Sequence, residues 1–247
     1  MFYGPDQARI HHDAFGSLAR EAAGALVGLL HAAGLTRGTV VDLGCGSGIL
    51  AAAMCDAGYD VTGVDISPAM VELARATAPR ATFRVGSLLD APLPRCVAVT
   101  AIGEALNYAT DERAGREAVR SLAARVYDAL EPGGVFLFDV ATPGRHGPDR
   151  RRAVFHRHDT WCLGMHAEES EDGTTLDRRI TIFTRADGGT YRRTDEHHVL
   201  RLYEPDPLAA LLRDAGFDVA VRDRYVDDPA PTTPPGGWHV FVARKPT

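Results

Sequence analysis

The stretch Val40-Val41-Asp42-Leu43-Gly44-Cys45-Gly46-Ser47-Gly48-Ile49-Leu50 decides the reading of this 247-residue chain. Val40, Val41 and Leu43 read as a buried strand. Glycines 44, 46 and 48 break it, and the run from Ile49 to Ala57 reads as a helix that Gly58 is placed to cap. Strand, glycine turn and helix is a nucleotide-binding opening, because the free N–H groups at the helix start face whatever rests on the turn. The spacing narrows the ligand. A dinucleotide fingerprint, G-x-G-x-x-G, would need its third glycine at position 49, which is Ile49. The turn is G-x-G-x-G and follows Asp42, a carboxylate better suited to a cationic amine than to a pyrophosphate.

Val61-Thr62-Gly63-Val64-Asp65 reads as a second strand ending in an acid, 21 residues beyond Gly44. An acid at about that distance sits at a strand tip and accepts hydrogen bonds from ribose hydroxyls. Ser67-Pro68 follows as N-cap and first helical residue, with Met70 and Leu73 on one helix face. Val85-Gly86-Ser87-Leu88-Leu89 and Val97 to Ile102 read as two more strand ends. The second runs into Gly103-Glu104-Ala105-Leu106-Asn107-Tyr108, and Leu130-Glu131-Pro132-Gly133-Gly134 turns into a strand from Val135 to Val140.

Taken in order over residues 40 to 140, these markers resemble the class I S-adenosylmethionine (SAM)-dependent methyltransferases. The resemblance implies a Rossmann-like seven-stranded mixed sheet, order 3-2-1-4-5-7-6, with helices on both faces and an antiparallel β insertion. It implies SAM as cofactor and S-adenosylhomocysteine as product. The cofactor-binding residues it implies are Tyr3, Asp42, Gly44, Gly46, Gly48, Asp65, Ile66, Met70, Ser87, Leu88, Leu89 and Gly103. Many members carry an acid directly after the glycine at position 86, reaching the adenine amino group. This chain has Ser87, leaving Asp90 or the Leu88 and Leu89 amides as alternatives. The segment from Gly103 to Tyr108 resembles that of small-molecule methyltransferases, so Glu104, Asn107, Tyr108 and, further on, Arg201 are read as acceptor-binding.

Strand and helix alternate up to residue 140, which implies parallel strands with helices on both faces. Ala118, Val119, Leu122, Val126 and Ala129 form an amphipathic stripe on a helix expected from about Asp111 to Ala129. Residues 151–203 break the alternation. Asp172-Gly173 and Gly188-Gly189 are hairpin turns around β-branched runs, so three or more antiparallel strands are expected, forming a lid over the carboxyl ends of the sheet. The whole chain, 1–247, is read as one domain with residues 1–34 as a helical cap. Asp206-Pro207 starts a late helix, two strands close the chain, and Asp227 to Gly237 reads as a surface loop.

The formal net charge of −6 lacks the basic surplus of a phosphate-gripping protein, so no nucleic-acid substrate is expected. No run approaches the ~20 apolar residues of a membrane span. No secretion signal is visible, and Cys45, Cys55, Cys96 and Cys162 have no C-x-x-C spacing, so reduced thiols and a cytoplasmic location are expected. No compact metal-ligand set is present, and no metal is expected. A homodimer is left open.

Two histidine positions are candidates for a general base, which a hydroxyl or ammonium nucleophile would need. In the stretch from Asp195 to Tyr203, alternation puts Glu196, His198, Leu200 and Leu202 on one face, so His198 points inward. His11, in the N-terminal segment, is the second; the alternative for each is a structural or surface histidine. Arg178, Arg179, Arg192, Arg193 and Arg201 either attract an anionic acceptor or form the outer face of the lid. The reading is methyl transfer to an oxygen or nitrogen of a small molecule. The alternatives are a non-methylating SAM-binding protein and an NAD-dependent oxidoreductase.

Overall fold

Val41 and Leu43 project to one side of β1 (Thr39–Leu43) and Val40 to the other, and both sides are buried. A strand covered on both faces is largely apolar, hence Val40, Val41 and Leu43 beside the single acid Asp42. The computed structural model describes residues 2–225 and 237–247. Around β1 lie β2 (Asp60–Asp65), β3 (Thr82–Val85), β4 (Cys96–Ala101), β5 (Leu130–Ala141), β10 (Asp218–Arg222) and β11 (Trp238–Arg244). The seven-stranded order, read from the β3 edge, is β3-β2-β1-β4-β5-β11-β10. β1 to β5 are parallel, and β11 runs antiparallel to both β5 and β10. This is the expected order.

Helices cover both faces. On one, α2 (Ser17–Ala32), α3 (Ile49–Asp56) and α4 (Pro68–Thr77) bury Leu26, Leu30, Met54 and Val71 against Val40, Leu137 and Val240. On the other, α5 (Arg116–Ala129) and α6 (Pro205–Asp214) bury Leu122, Val126 and Leu212 against Val41, Phe136, Phe138 and Phe241. Each fully buried Leu or Phe contributes roughly 1.5–3 kcal/mol. α1 (Pro5–Ala14) packs across α4 and the insertion.

One boundary differs from the sequence reading. α5 begins at Arg116, not near Asp111. The Asp111 carboxylate accepts from the Arg113 amide (3.0 Å), an Asx-type turn, and Gly115 at φ 150° holds the chain out of the helix until the next residue. The insertion is a separate antiparallel sheet in the order β6 (Arg151–Arg157), β7 (Trp161–Glu169), β8 (Thr175–Arg185), β9 (Tyr191–Arg201). It joins the main sheet at its carboxyl end. The Arg201 amide donates to Asn107 O (2.7 Å), Ala109 N to Val199 O (2.9 Å) and Tyr203 N to Ala141 O (3.3 Å). The stretch read as a loop from Asp227 lies, up to residue 236, outside the described residues.

Candidate active site

A cleft of about 1260 Å³, its open mouth included, lies at the carboxyl ends of β1, β2 and β4. Parallel strands bring their tips, and the helix starts that follow them, to one edge of the sheet. Asp42 and Gly44 come from β1 and its turn, Asp65 and Ile66 from β2, Met70 from α4, Ser87 to Leu89 from beyond β3, and Gly103 from beyond β4; all line the cleft. Gly46, at φ 51°, also lines it, and a Cβ built there meets nothing within 4 Å, so its backbone stands open to a ligand. Bare backbone at the turn and a carboxylate on either side suit the amine, sulfonium and ribose of SAM.

Burial raises the Asp42 carboxyl to about 6, against the Thr100 hydroxyl that donates to it (2.6 Å); the nearby Asp65 raises it further. Asp65 is also pushed up by burial, and it accepts the Ser67 amide (2.8 Å) and the Gly46 amide (2.9 Å). Thus the acid at the tip of β2 also fixes the glycine turn.

The N-terminal segment and the insertion close the other side. Tyr3, His11 and Phe15 line the cleft from the cap, and Tyr108 faces them, its hydroxyl 3.1 Å from that of Tyr3. Burial keeps both phenols protonated at neutral pH; Tyr108 pushes Tyr3 further up, whereas at Tyr108 burial prevails against Arg178 and the Tyr3 hydrogen bond. The Glu196 carboxylate on β9 accepts the Tyr3 and Gly4 amides, each at 2.7 Å. Arg192 and Thr194, also on β9, bond Asp6. From the sheet side, the Ser67 hydroxyl donates to Tyr3 O (2.7 Å), and His12 Nδ1 lies 2.9 Å from Ser47 Oγ. The cap is therefore latched to both the insertion and the cofactor loops. Of the expected cap, 1–34, α1 and the start of α2 face the cleft; the rest of α2 packs on the sheet.

Several candidates stand elsewhere. Gly48 lies outside the cleft lining. At φ 79° it caps α3, and a Cβ there would meet Ala74 Cα at 2.9 Å, so this glycine lets α3 and α4 approach. His198 is inward as the alternation requires but only 1% exposed. Its Nε2 is 2.8 Å from Glu196 Oε2, and Phe2, Tyr3 and Tyr108 ring it, so it stands behind the cleft wall. Glu104 is buried between Arg145 and Arg178, each at 2.7 Å. Burial opposes its ionisation, but the two guanidiniums prevail and hold it at about 2, which removes it as a base. Asn107 is a strut: its amide donates to Ala141 O and Arg201 O and accepts the Ala141 amide. Arg201 lies in a neighbouring groove with Arg116 and Glu204 that meets the cleft at Gly115. Asp90 pairs with Arg113 on the surface (2.6 Å) and does not line the cleft. Arg192 and Arg193 pair with Asp6 and Asp195. Among the described residues no group of three or more His, Cys, Asp or Glu is placed to hold a metal ion.

His11 does line the cleft. Burial, then the proximity of His12 and His198, lowers its imidazole to about 4, so it is neutral at pH 7. One residue that sequence reasoning missed is Asp139, fully buried on β5. It accepts the Gly103 amide (2.7 Å), the Glu104 amide (2.6 Å), the Trp238 indole N–H and the Tyr225 hydroxyl. It thereby holds the left-handed pair Gly103 (φ 77°) and Glu104 (φ 63°) that ends the cleft floor. The signal was an acid inside the apolar run from Val135 to Val140.

The chain belongs to the class I SAM-dependent methyltransferases. Residues 40–134 match the family model of a methyltransferase domain. The chain is 30% identical over 217 residues to a putative methyltransferase of Geobacillus sp. (strain WCH70), covering 83% of this chain and 84% of that protein. A SAM-dependent methyltransferase from Clostridium acetobutylicum ATCC 824 superposes with a TM-score of 0.80 at 17% identity, over 98% of each chain. CalS10, an amino pentose methyltransferase from Micromonospora echinaspora, superposes with a TM-score of 0.75 at 20% identity, over 99% of this chain and 98% of that one. SAM is the cofactor, and the oxidoreductase reading falls with the family.

Proposed function

We propose that the chain transfers the methyl group of SAM to an oxygen or nitrogen of a small molecule. The observation that carries this is the wall facing the cofactor turn. Tyr3, Tyr108 and His11 meet there under a latched cap and insertion. That enclosure favours a compact acceptor over a polymer. The name of CalS10, which acts on an amino pentose, is consistent with such an acceptor.

When bound, the cofactor supplies an activated methyl on a sulfonium; the protein supplies position and dryness. The cap and insertion exclude water, which strengthens electrostatic interactions inside. Holding the reactants in line accounts for up to roughly 7–11 kcal/mol of the barrier. The neutral Tyr3 and Tyr108 hydroxyls orient the acceptor by hydrogen bonds. His11, the histidine that lines the cleft, is placed to take the proton that the nucleophile releases. His198 steadies Glu196 and, through it, the cap.

The test is S-adenosylhomocysteine release from SAM in the presence of a panel of small hydroxy and amino compounds, with a peptide and an oligonucleotide alongside. Turnover confined to small hydroxy or amino compounds is expected. Turnover of only the peptide or the oligonucleotide contradicts the proposal.

A further inference from the structure

We infer that Arg145, His146 and Arg178 form a carboxylate-binding site behind the acceptor wall of the cleft, so that the methyl acceptor is a hydroxy or amino acid that carries a carboxylate. The inference rests on the small-molecule reading of the cleft and names the class of compound it takes.

A buried N–H without an acceptor is costly, and folded proteins rarely leave one. Among the described residues, the buried side-chain nitrogens with no hydrogen-bond partner are Arg145 Nη1, Arg178 Nε and both ring nitrogens of His146. All four belong to one cluster around Glu104. Arg145 Nη2 lies 2.7 Å from Glu104 Oε1, Arg178 Nη1 lies 2.7 Å from Oε2, and His146 acts on the same carboxylate. Arg178 stands on β8 between the buried Leu176 and Ile180 of the inner face, opposite His198 of β9. Arg145 and His146 come from the turn after β5. That turn is held by Glu169, which accepts the Gly144 and His146 amides at 2.9 Å each, so the His146 ring is not what fixes it.

Two guanidiniums face one carboxylate here, and the remaining charges at His146, Glu169 and Arg152, are of opposite sign. One more anionic group matches both the surplus charge and the unpaired donors, and a carboxylate is the planar monoanion that guanidinium N–H groups hold best. The cluster adjoins the cleft. Gly103 and Ala105, on either side of Glu104, line it, and so do Tyr3 and Tyr108, the two phenols on which Arg178 acts. The unpaired nitrogens are closed off from solvent, so a carboxylate reaches them past Tyr3 when the cap lifts. Bound there, it fixes one end of the acceptor and leaves the hydroxyl or amine in the cleft for the methyl. A carboxamide brings no charge and turns an NH₂ toward N–H groups, and a site that leaves polar groups unpaired against the wrong ligand discriminates strongly.

The experiment measures S-adenosylhomocysteine release with matched pairs of compounds: hydroxybenzoate, lactate and alanine, each beside its carboxamide. In the wild type kcat/KM should favour the acid of a pair by about 10- to 100-fold, mostly through KM. His146→Ala removes a ring that makes no hydrogen bond within the protein, and Arg145→Gln removes one of the two cations; each should shrink the acid-over-amide preference about tenfold. Added formate should compete with the acid. An equal loss on acid and amide in both variants would make the cluster a structural clasp and overturns the inference. Formate that instead speeds the amide overturns it too, since the anion would then be a separate molecule. Turnover of small compounds with no preference for the acid also overturns it and leaves the proposed function standing. Turnover of no small compound at all contradicts the proposed function instead.

Discussion

At the scale of single residues, the electrostatics of the cleft centre on Asp42, whose carboxyl burial lifts to about 6. A bound cation favours the ionised form and pulls that value down. SAM affinity should therefore be full above pH 6 and fall as pH drops through 6, by up to about tenfold per unit, the slope of one linked proton. Calorimetry from pH 5 to 8 checks this. Asp42→Asn should remove the slope, and a flat wild-type profile would show that no cation meets Asp42. The two histidines separate by kinetics. His11→Ala should lower kcat about 10²–10⁴-fold with SAM affinity kept. With its imidazole at about 4, His11 adds no pH limb to kcat between 5.5 and 8. His198→Ala should mainly lower the melting temperature, because it strips a buried partner from Glu196. The opposite ranking, with turnover lost only in His198→Ala, would return the base to β9.

At the scale of elements, the cap is held by one side chain more than by any surface. Glu196 receives two backbone amides of the segment before α1, and His198 besides. Removing one partner of a buried pair costs about 3–5 kcal/mol, since it leaves the others uncompensated. Glu196→Ala should destabilise the protein on that order and raise hydrogen exchange over residues 3–14 while β1 stays protected. Unchanged protection of the cap would mean that the Asp6 contacts with Arg192 and Thr194 suffice. The alternation that pointed Glu196 and His198 inward was legible in the sequence, because one face of β9 is buried and the other is not. Their partners were not legible. A polar residue on a buried face announces that it needs a hydrogen bond, but not which chain segment supplies it. Glu104 and Asn107 show the same limit: their types fit acceptor binding, yet the fold spends them on Arg145, Arg178 and the β5–β9 junction.

At the scale of the whole molecule, β1, β4 and β5 were legible because strands buried on both faces must be largely apolar, and the glycine or acidic residues that follow β1, β2 and β3 mark the cleft edge. The start of α5 was not, since an acid at Asp111 reads as a helix start and only the geometry shows it closing a turn below Gly115. Asp139 was hidden inside an apolar strand, and its role depends on four groups scattered through the sequence. The account as a whole rests on the Gly44–Gly48 turn and the acids Asp42 and Asp65 serving SAM. The direct measurement is calorimetric titration of the purified protein with S-adenosylhomocysteine and with NAD under the same conditions. Saturable one-to-one binding of S-adenosylhomocysteine, with no heat from NAD, is the predicted result. Saturable NAD binding without any for S-adenosylhomocysteine would contradict it.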